Sequence, residues 1–170
     1  MTAPKAKSVT GDDAVIVELE IAAPPERVFQ ALTDEKQLFT WWGSEPSVDL
    51  STFTMDARKG GRYHYACTPK GNRDFGPITE QLKQNGQVVF DCHGEVLEID
   101  PPRLLVWSWI ANWHKDPQHA TIVRWELTPT KSGTLVRVTH SALANEPESR
   151  KDYGSGWQGV LQLLKNFLHG

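Results

Sequence analysis

The stretch at residues 149–169, SRKDYGSGWQGVLQLLKNFLH, decides the fold because its apolar pattern fits a helix and no other regular structure. At 100° per residue its apolar side chains fall on one arc of about 160°, and polar side chains fill the opposite side. The apolar arc consists of Trp157, Val160, Leu161, Leu163, Leu164, Phe167 and Leu168. A helix with one apolar arc must pack on another element, so we expect a core helix here.

Two possible caps mark the start of this helix. Ser149 with Asp152, and Ser155 with Gln158, each place a side-chain acceptor at an unsatisfied helix start, and we favour the earlier one. The stretch also contains glycines at positions 154, 156 and 159, although glycine is a poor helix former. Such glycines disfavour a helix unless close packing requires them.

The totals for the chain predict one ordinary domain. With 170 residues and 39% hydrophobic content, we expect a flexible tail over residues 1–13 and a single domain over residues 14–170. The formal charge of -3 gives no electrostatic reason to expect a nucleic acid or an anionic membrane as partner. Without a signal peptide or an apolar run long enough to span a membrane, a cytoplasmic location is the default. Seven tryptophans predict a wide, aromatic interior.

The first elements alternate between a strand and two short helices. Residues 15–21 alternate apolar and polar side chains, which predicts a strand with one buried face. Pro25 suits the first turn of a helix over residues 25–32. Asp34 with Gln37 caps a second helix, which we expect to end at Gly43 in the left-handed conformation.

From residue 48 onward the apolar period changes to two, which predicts six more strands. They cover residues 48–57, 61–67, 88–99, 104–110, 120–127 and 135–141. Successive strands joined by turns form an antiparallel meander. In the last three strands the apolar side chains share one face, so the sheet should curl around the C-terminal helix. Residues 68–87 lack either period and are predicted to be a long loop, with room for a short helix or an extra hairpin at 78–83.

Several local strings, in order, resemble one known family. They are IAAPPERVF (21–29), ALTD (31–34), WWG (41–43), GGRY (60–63), GEVLEIDPPRLLVWSW (94–109), THS (139–141) and GW (156–157). Together they resemble the activator-of-heat-shock-ATPase-like branch of the START-related (SRPBCC, Bet v-like) superfamily, over about residues 15–168. The resemblance implies an α+β helix-grip fold, in which an antiparallel curved sheet of about six or seven strands wraps around the long C-terminal helix. Two short helices after the first strand and an apolar cavity between sheet and helix complete it. The segment 68–87 departs from the family because it is longer than the usual tight turn there.

That fold serves carriers, receptors, cyclases and co-chaperone domains, so the resemblance leaves the function open. The leading hypothesis is binding of a small hydrophobic or aromatic molecule without catalysis. The alternatives are a cyclase or hydrolase that uses polar cavity residues, and a chaperone-associated module of the heat-shock ATPase activator type. A small apolar ligand is therefore the expected partner, with a chaperone contact or a homodimer left open, and no cofactor is expected.

The sheet side, the small helices and the C-terminal helix each contribute large side chains that are predicted to line the cavity. They are Trp41, Phe53, Tyr63, Tyr65, Glu95, Trp107, Trp109, Trp125, His140, Trp157, Leu161 and Leu164. Tyr65, Glu95 and His140 are the polar anchors offered to a flat apolar ligand. Tyr65 and His140 could also serve as acid or base, but satisfied core positions are the simpler interpretation, so no catalytic residue is assigned.

Four residues on two predicted neighbouring strands raise the question of a zinc site: His64, Cys67, Cys92 and His93. Adjacent strand residues point to opposite faces, so these side chains should not converge, and we expect no metal. The two cysteines are expected to be free thiols, although a disulfide between them is geometrically possible.

Two aromatic sites leave alternatives open. Trp113, in the connection 112–119, is either a lid or partner contact, or it folds against its own hairpin. Of Trp41 and Trp42, adjacent on a helix, one should line the cavity and the other should fill the core.

Overall fold

The computed structural model of the protein describes residues 7–10, 13–71 and 75–169. The strands are β1 (Lys7–Thr10), β2 (Val15–Ile21), β3 (Val48–Met55), β4 (Arg62–Pro69), β5 (Phe90–Asp100), β6 (Leu104–Ala111), β7 (Thr121–Pro129) and β8 (Thr134–Ser141). The helices are α1 (Pro25–Thr33), α2 (Glu35–Trp42), α3 (Pro77–Gln84) and α4 (Pro147–His169).

All eight strands form one antiparallel sheet in the order β1-β2-β8-β7-β6-β5-β4-β3. The meander from β3 to β8 confirms the prediction, and β2 joins it at the β8 edge. The predicted flexible tail needs a correction, because residues 7–10 pair with β2 and add a strand at the sheet edge. Backbone hydrogen bonds make this pairing, so the polar side chains of the segment give no pattern from which it could be predicted. The other residues of the predicted tail, apart from Asp13, lie outside the described part of the chain.

The apolar face of the sheet packs against α4, which confirms the helix-grip arrangement. Leu161 and Leu164 are fully buried, and the ring of Trp157 lies 5.6 Å from Trp125 and 5.3 Å from Trp109. Alternation in β6, β7 and β8 places the predicted apolar side chains in this core. Burial of this apolar surface is the main source of stability.

The helix ends agree with the sequence in part. Asp34 accepts hydrogen bonds from the N–H groups of Lys36 and Gln37, as predicted for a cap. Gly43 follows α2, but its φ of -76° is right-handed, so the prediction of a left-handed terminator is wrong. Glycine is needed there because a Cβ atom would lie 2.6 Å from the carbonyl oxygen of Phe39.

Two other boundaries differ from the expected ones. α4 begins at Pro147, two residues before the predicted cap, since proline fits the first turn of a helix. Residues 77–84 form α3, so the segment predicted as a long loop holds the short helix allowed for it. Within the described ranges, no helix is long and apolar enough to span a membrane.

Candidate functional site

A cleft of about 380 Å³ runs along one side of α4 and is the main candidate site. Its opposite wall comes from the end of α2 and from β3 and β4, and Phe75 and Ile78 close it at the α3 end. The cleft continues into an inner pocket of about 130 Å³, with which it shares Trp42, Tyr65 and Asp152. The inner wall is aromatic and consists of Trp42, Tyr65, Trp109, Trp113, Tyr153 and Trp157.

Of the residues predicted to line a cavity, the structure places Tyr65, Trp109 and Trp157 at this site. Their role in ligand binding stays a prediction. The structure places the other predicted residues elsewhere, in the core behind this wall or on the other side of the sheet, and they line neither the cleft nor its inner pocket. These residues are Trp41, Phe53, Tyr63, Trp107, Trp125, His140, Leu161, Leu164 and Glu95.

Two of these corrections follow from simple geometry. Trp42, rather than Trp41, faces the cleft, because the indole N–H of Trp41 turns inward and donates to the carbonyl oxygen of Ala31 at 2.8 Å. Glu95 is exposed on the outer face, since it pairs across the strands with Arg62, while its neighbour Gly94 pairs with the inward Tyr63.

Two glycines of α4 open the cleft. Gly156 and Gly159 line it, and a Cβ atom added at either position would meet no atom within 4 Å. Close packing therefore does not require glycine at these two positions. Glycine inside a helix costs up to about 1 kcal/mol relative to alanine, and here that cost leaves empty space at the site.

The hydroxyl of Tyr153 lies at the centre of a buried polar cluster behind the inner pocket. It accepts the indole N–H groups of Trp109, at 3.1 Å, and Trp113, at 3.0 Å. Both indoles are obligate donors, so the third contact, 2.6 Å to Nε2 of His114, must use the tyrosine proton. His114 is therefore neutral and carries its proton on Nδ1, which has no hydrogen-bond partner within the described residues.

His140 is fixed in the same way. Its Nδ1 accepts the indole N–H of Trp157 at 3.1 Å, so its proton is on Nε2 and is donated to the hydroxyl of Thr121 at 2.7 Å. Thr121 passes its own proton to the carbonyl oxygen of Trp109 at 3.0 Å. His140 is thus a satisfied core histidine rather than an anchor facing the cleft.

Burial shifts the pKa values of these groups in the direction that favours their uncharged forms. Desolvation lowers the pKa of His114 to about 4 and that of His140 well below its ordinary value. The pKa values of Tyr65 and Tyr153 are raised well above the ordinary value by the same cause. Both histidines and both tyrosines are therefore uncharged near neutral pH.

Asp152 is the carboxylate that the cleft and the inner pocket share. It lies on α4, and its Oδ2 accepts the backbone N–H of Ile78 at 3.1 Å, at the start of α3. This bond ties α3 to α4 and fixes the position of the carboxylate. Burial raises the pKa of Asp152 above its ordinary value, with a smaller opposing effect from the Ile78 hydrogen bond.

The two cysteines are free thiols, as predicted. Burial raises the pKa of Cys67, which lines the cleft, to about 11, and raises that of the fully buried Cys92 well above its ordinary value. A thiol with so high a pKa holds almost no thiolate at neutral pH, so Cys67 is not an activated nucleophile.

The possible zinc ligands do not converge. His64 and His93 pair across β4 and β5 on the outer face and contact Asp91 there, while Cys92 points into the core. Among the described residues, no group of three or more possible ligands could hold a metal ion.

Trp113 is a wall residue of the inner pocket rather than an exposed lid. It is buried, and its ring packs at 5.5 Å from Phe90 and 6.2 Å from Trp109. The side chain of Asn85, after α3, donates to the carbonyl oxygens of Asn112 and His114 and holds this connection against the domain.

The sequence reasoning missed Tyr153 and Asp152 as site residues, and it left Trp113 open between a lid or partner contact and packing against its own hairpin. A signal existed for Tyr153, which precedes Trp157 by four residues and so lies on the same side of a helix. For Trp113 no local pattern was available, because it lies in an irregular connection held in place by distant residues.

Residues 22–169 match the family described as Activator of Hsp90 ATPase homolog 1-like protein. The chain belongs to this family. The helix-grip sheet and the C-terminal helix described above agree with that assignment, as does the earlier resemblance. None of the curated proteins is similar enough in sequence to be matched.

Solved structures share the fold of this family member. A crystal structure of a protein from Rhodobacter sphaeroides is 18% identical over 98% of this chain and 99% of that one, with a TM-score of 0.74. The solution structure of an AHSA1-like protein from Aeromonas hydrophila is 20% identical over 92% of each chain, with a TM-score of 0.64. DynU16, a protein in the dynemicin biosynthetic locus, is 21% identical over 94% of this chain and 48% of that one, with a TM-score of 0.64. At these identities the likeness shows the fold alone.

Proposed function

We propose that this protein binds a small, flat, apolar or aromatic molecule in the cleft beside α4. The observation that carries the proposal is the empty space above Gly156 and Gly159, which faces an aromatic wall. Ligand sites usually have volumes of about 300 to 1,000 Å³ and are mostly apolar with a few polar groups. The cleft, at about 380 Å³ before its inner extension, falls in this range.

The wall is suited to a flat ligand because its rings are already in place. The ring of Trp42 packs at 5.3 Å from Tyr65 and 6.1 Å from Trp157, and Tyr65 packs at 5.7 Å from Trp109. Rings held by one another lose little conformational freedom when a ligand binds. Pre-organisation of this kind favours affinity.

Binding has more support than catalysis. The polar hydrogens of Tyr153 and His140 are already donated within the protein, and the thiol of Cys67 is protonated at neutral pH. A general acid or base must reach the reacting atom of its substrate, and the polar hydrogens of Tyr153 and His140 are held by other partners. DynU16, which shares this fold, is a protein in the dynemicin biosynthetic locus. A role with small molecules is therefore compatible with the fold.

Titration with a neutral, fluorescent naphthalene derivative tests the proposal. We expect one molecule of the neutral naphthalene derivative to bind per chain, with a Kd near the micromolar range, equivalent to about 8 kcal/mol. Gly156→Leu should abolish this binding while the far-UV circular dichroism and the melting transition stay intact. Gln162→Leu adds the same side chain on the exposed side of the helix and should bind as the wild type does. Equal binding by both variants would contradict the proposal.

The family description supports a second candidate, stimulation of the Hsp90 ATPase. Adding the purified protein to Hsp90 should then raise the rate of ATP hydrolysis, and the Gly156→Leu variant should raise it equally if the cleft is not the contact. An unchanged ATPase rate would remove this candidate.

A further inference from the structure

The charged side chains among the described lining residues of the cleft have one sign. Asp152 and Glu45 lie in its wall, and the described lining residues of the cleft and its inner pocket include no Lys, Arg or His. An anionic ligand group would therefore meet negative charge without a described partner in the wall. A cationic group would meet two carboxylates.

Both carboxylates are held in position by hydrogen bonds from the protein. Asp152 accepts the N–H of Ile78 at 3.1 Å, and Glu45 accepts the N–H and the hydroxyl of Ser47 at 3.0 and 2.6 Å. A carboxylate has about four acceptor positions, so one hydrogen bond leaves capacity for a ligand donor. Fixed acceptors lose little freedom when they bind a donor.

The aromatic wall also favours a cation. Tryptophan, followed by tyrosine, attracts cations through the negative face of its ring, with energies of about 0.5 to 2 kcal/mol. Trp42 and Tyr65 line both the cleft and the inner pocket, as does Asp152. A carboxylate beside aromatic faces is an arrangement that recognises an organic ammonium group.

We infer that the ligand of the cleft is an apolar or aromatic amine, whose protonated nitrogen is held by Asp152 and whose apolar part lies on the aromatic wall. This inference rests on the proposed function and adds the charge class of the ligand. Glu45, at the α2 end, adds attraction of the same sign, so the site rejects carboxylic acids of the same shape.

The inference is tested with three probes of matched shape: 1-naphthylmethylamine, 1-naphthalenemethanol and 1-naphthoate. We expect the amine to bind about tenfold more tightly than the alcohol, equivalent to about 1.4 kcal/mol, and the carboxylate to bind most weakly. Asp152→Asn keeps an acceptor for the Ile78 N–H and should remove the advantage of the amine, leaving the affinity of the alcohol unchanged. Glu95→Gln removes a carboxylate from the outer face and should change none of the three affinities.

The outcomes separate this inference from the proposal beneath it. If the alcohol binds as tightly as the amine, or if Asp152→Asn leaves the affinity of the amine unchanged, the inference is wrong while the binding function stands. If Glu95→Gln weakens the amine as much as Asp152→Asn does, the attraction comes from net charge, and Asp152 is not the anchor. If none of the three probes binds, the proposed function and the inference both fail.

Discussion

Two neighbouring sides of α4 meet different surroundings. The side that carries Leu161 and Leu164 is fully buried against the sheet, whereas the side that carries Gly156 and Gly159 faces empty space. The first is filled to the density of a protein core, and a change there must leave a cavity or force a clash. The second tolerates added atoms. One helix thus supplies both the core of the domain and one wall of the cleft, and substitutions should divide along this line.

The largest effect is expected on the packed side. Leu164→Ala should lower the free energy of unfolding by about 2 to 5 kcal/mol, because it leaves a cavity that the sheet cannot fill. Gln162→Ala, on the exposed side of the same helix, should change it by less than about 0.5 kcal/mol. Urea denaturation of the two variants measures the difference. Equal midpoints would mean that α4 does not pack as described.

Acid should also weaken the domain, because His114 and His140 are fully buried. An unfolded histidine binds a proton below about pH 6.5, while folded His114 stays neutral down to about pH 4. The unfolded state therefore binds more protons between these values, so the stability contributed by neutral His114 is complete above pH 6.5 and is lost as the pH falls towards 4.

The slope of this loss is measurable. For each unit by which the pH falls in this window, a buried neutral histidine should lower the free energy of unfolding by up to about 1.4 kcal/mol. His114→Gln keeps an acceptor for the Tyr153 hydroxyl and should reduce the slope, measured by denaturation at several pH values. Gln162→Ala, on the exposed side of α4, removes no titratable group and is the control that should leave the slope as it is. A slope that His114→Gln does not change would contradict a buried, neutral His114.

The difference between the two sides also shows what sequence patterns can predict. Periods of two and 3.6 locate β2 to β8 and α4, because burial on one face imposes those periods. The same patterns place His140 correctly inside the core, but they cannot show that Trp157 and Thr121 satisfy its ring. A buried position is not yet a cavity position.

Cavity walls depend on where packing stops, which no local pattern records. Trp41 and Trp42 are the same residue type at adjacent positions, so the sequence does not show which of them faces a cavity. The packing of α2 against the domain turns Trp42 towards the cleft and Trp41 into the core. Gly156 illustrates the same limit, since a glycine in a helix can mean close packing or empty space. Glu95 is a different error, because its pairing with Arg62 follows from strand alternation and places it on the outer face.

On the open side a small effect of opposite sign is expected. Gly159→Ala should raise the free energy of unfolding by about 0.5 to 1 kcal/mol, since alanine is the better helix former and its Cβ meets no atom within 4 Å. Gly43→Ala is the contrasting variant and should destabilise the domain, because its Cβ would lie 2.6 Å from the carbonyl oxygen of Phe39. Thermal melting of both variants measures the signs. Destabilisation by Gly159→Ala would show that the cleft is closed at that position.

The smallest effect is expected for the thiol of the open side. Cys67 lines the cleft and is half-buried, so Cys67→Ser should change the free energy of unfolding by less than about 0.5 kcal/mol. Cys92 is fully buried, with its sulfur 3.8 Å from the hydroxyl of Tyr63, and Cys92→Ser should be the more destabilising substitution, because a new hydroxyl must then be satisfied inside the core. Urea denaturation of the two single variants and of the double variant gives the comparison directly. If Cys67→Ser proves the more destabilising substitution, Cys67 belongs to the packed core. The wall that β4 forms opposite α4 would then not be open in the way that the Gly156 and Gly159 side of α4 is.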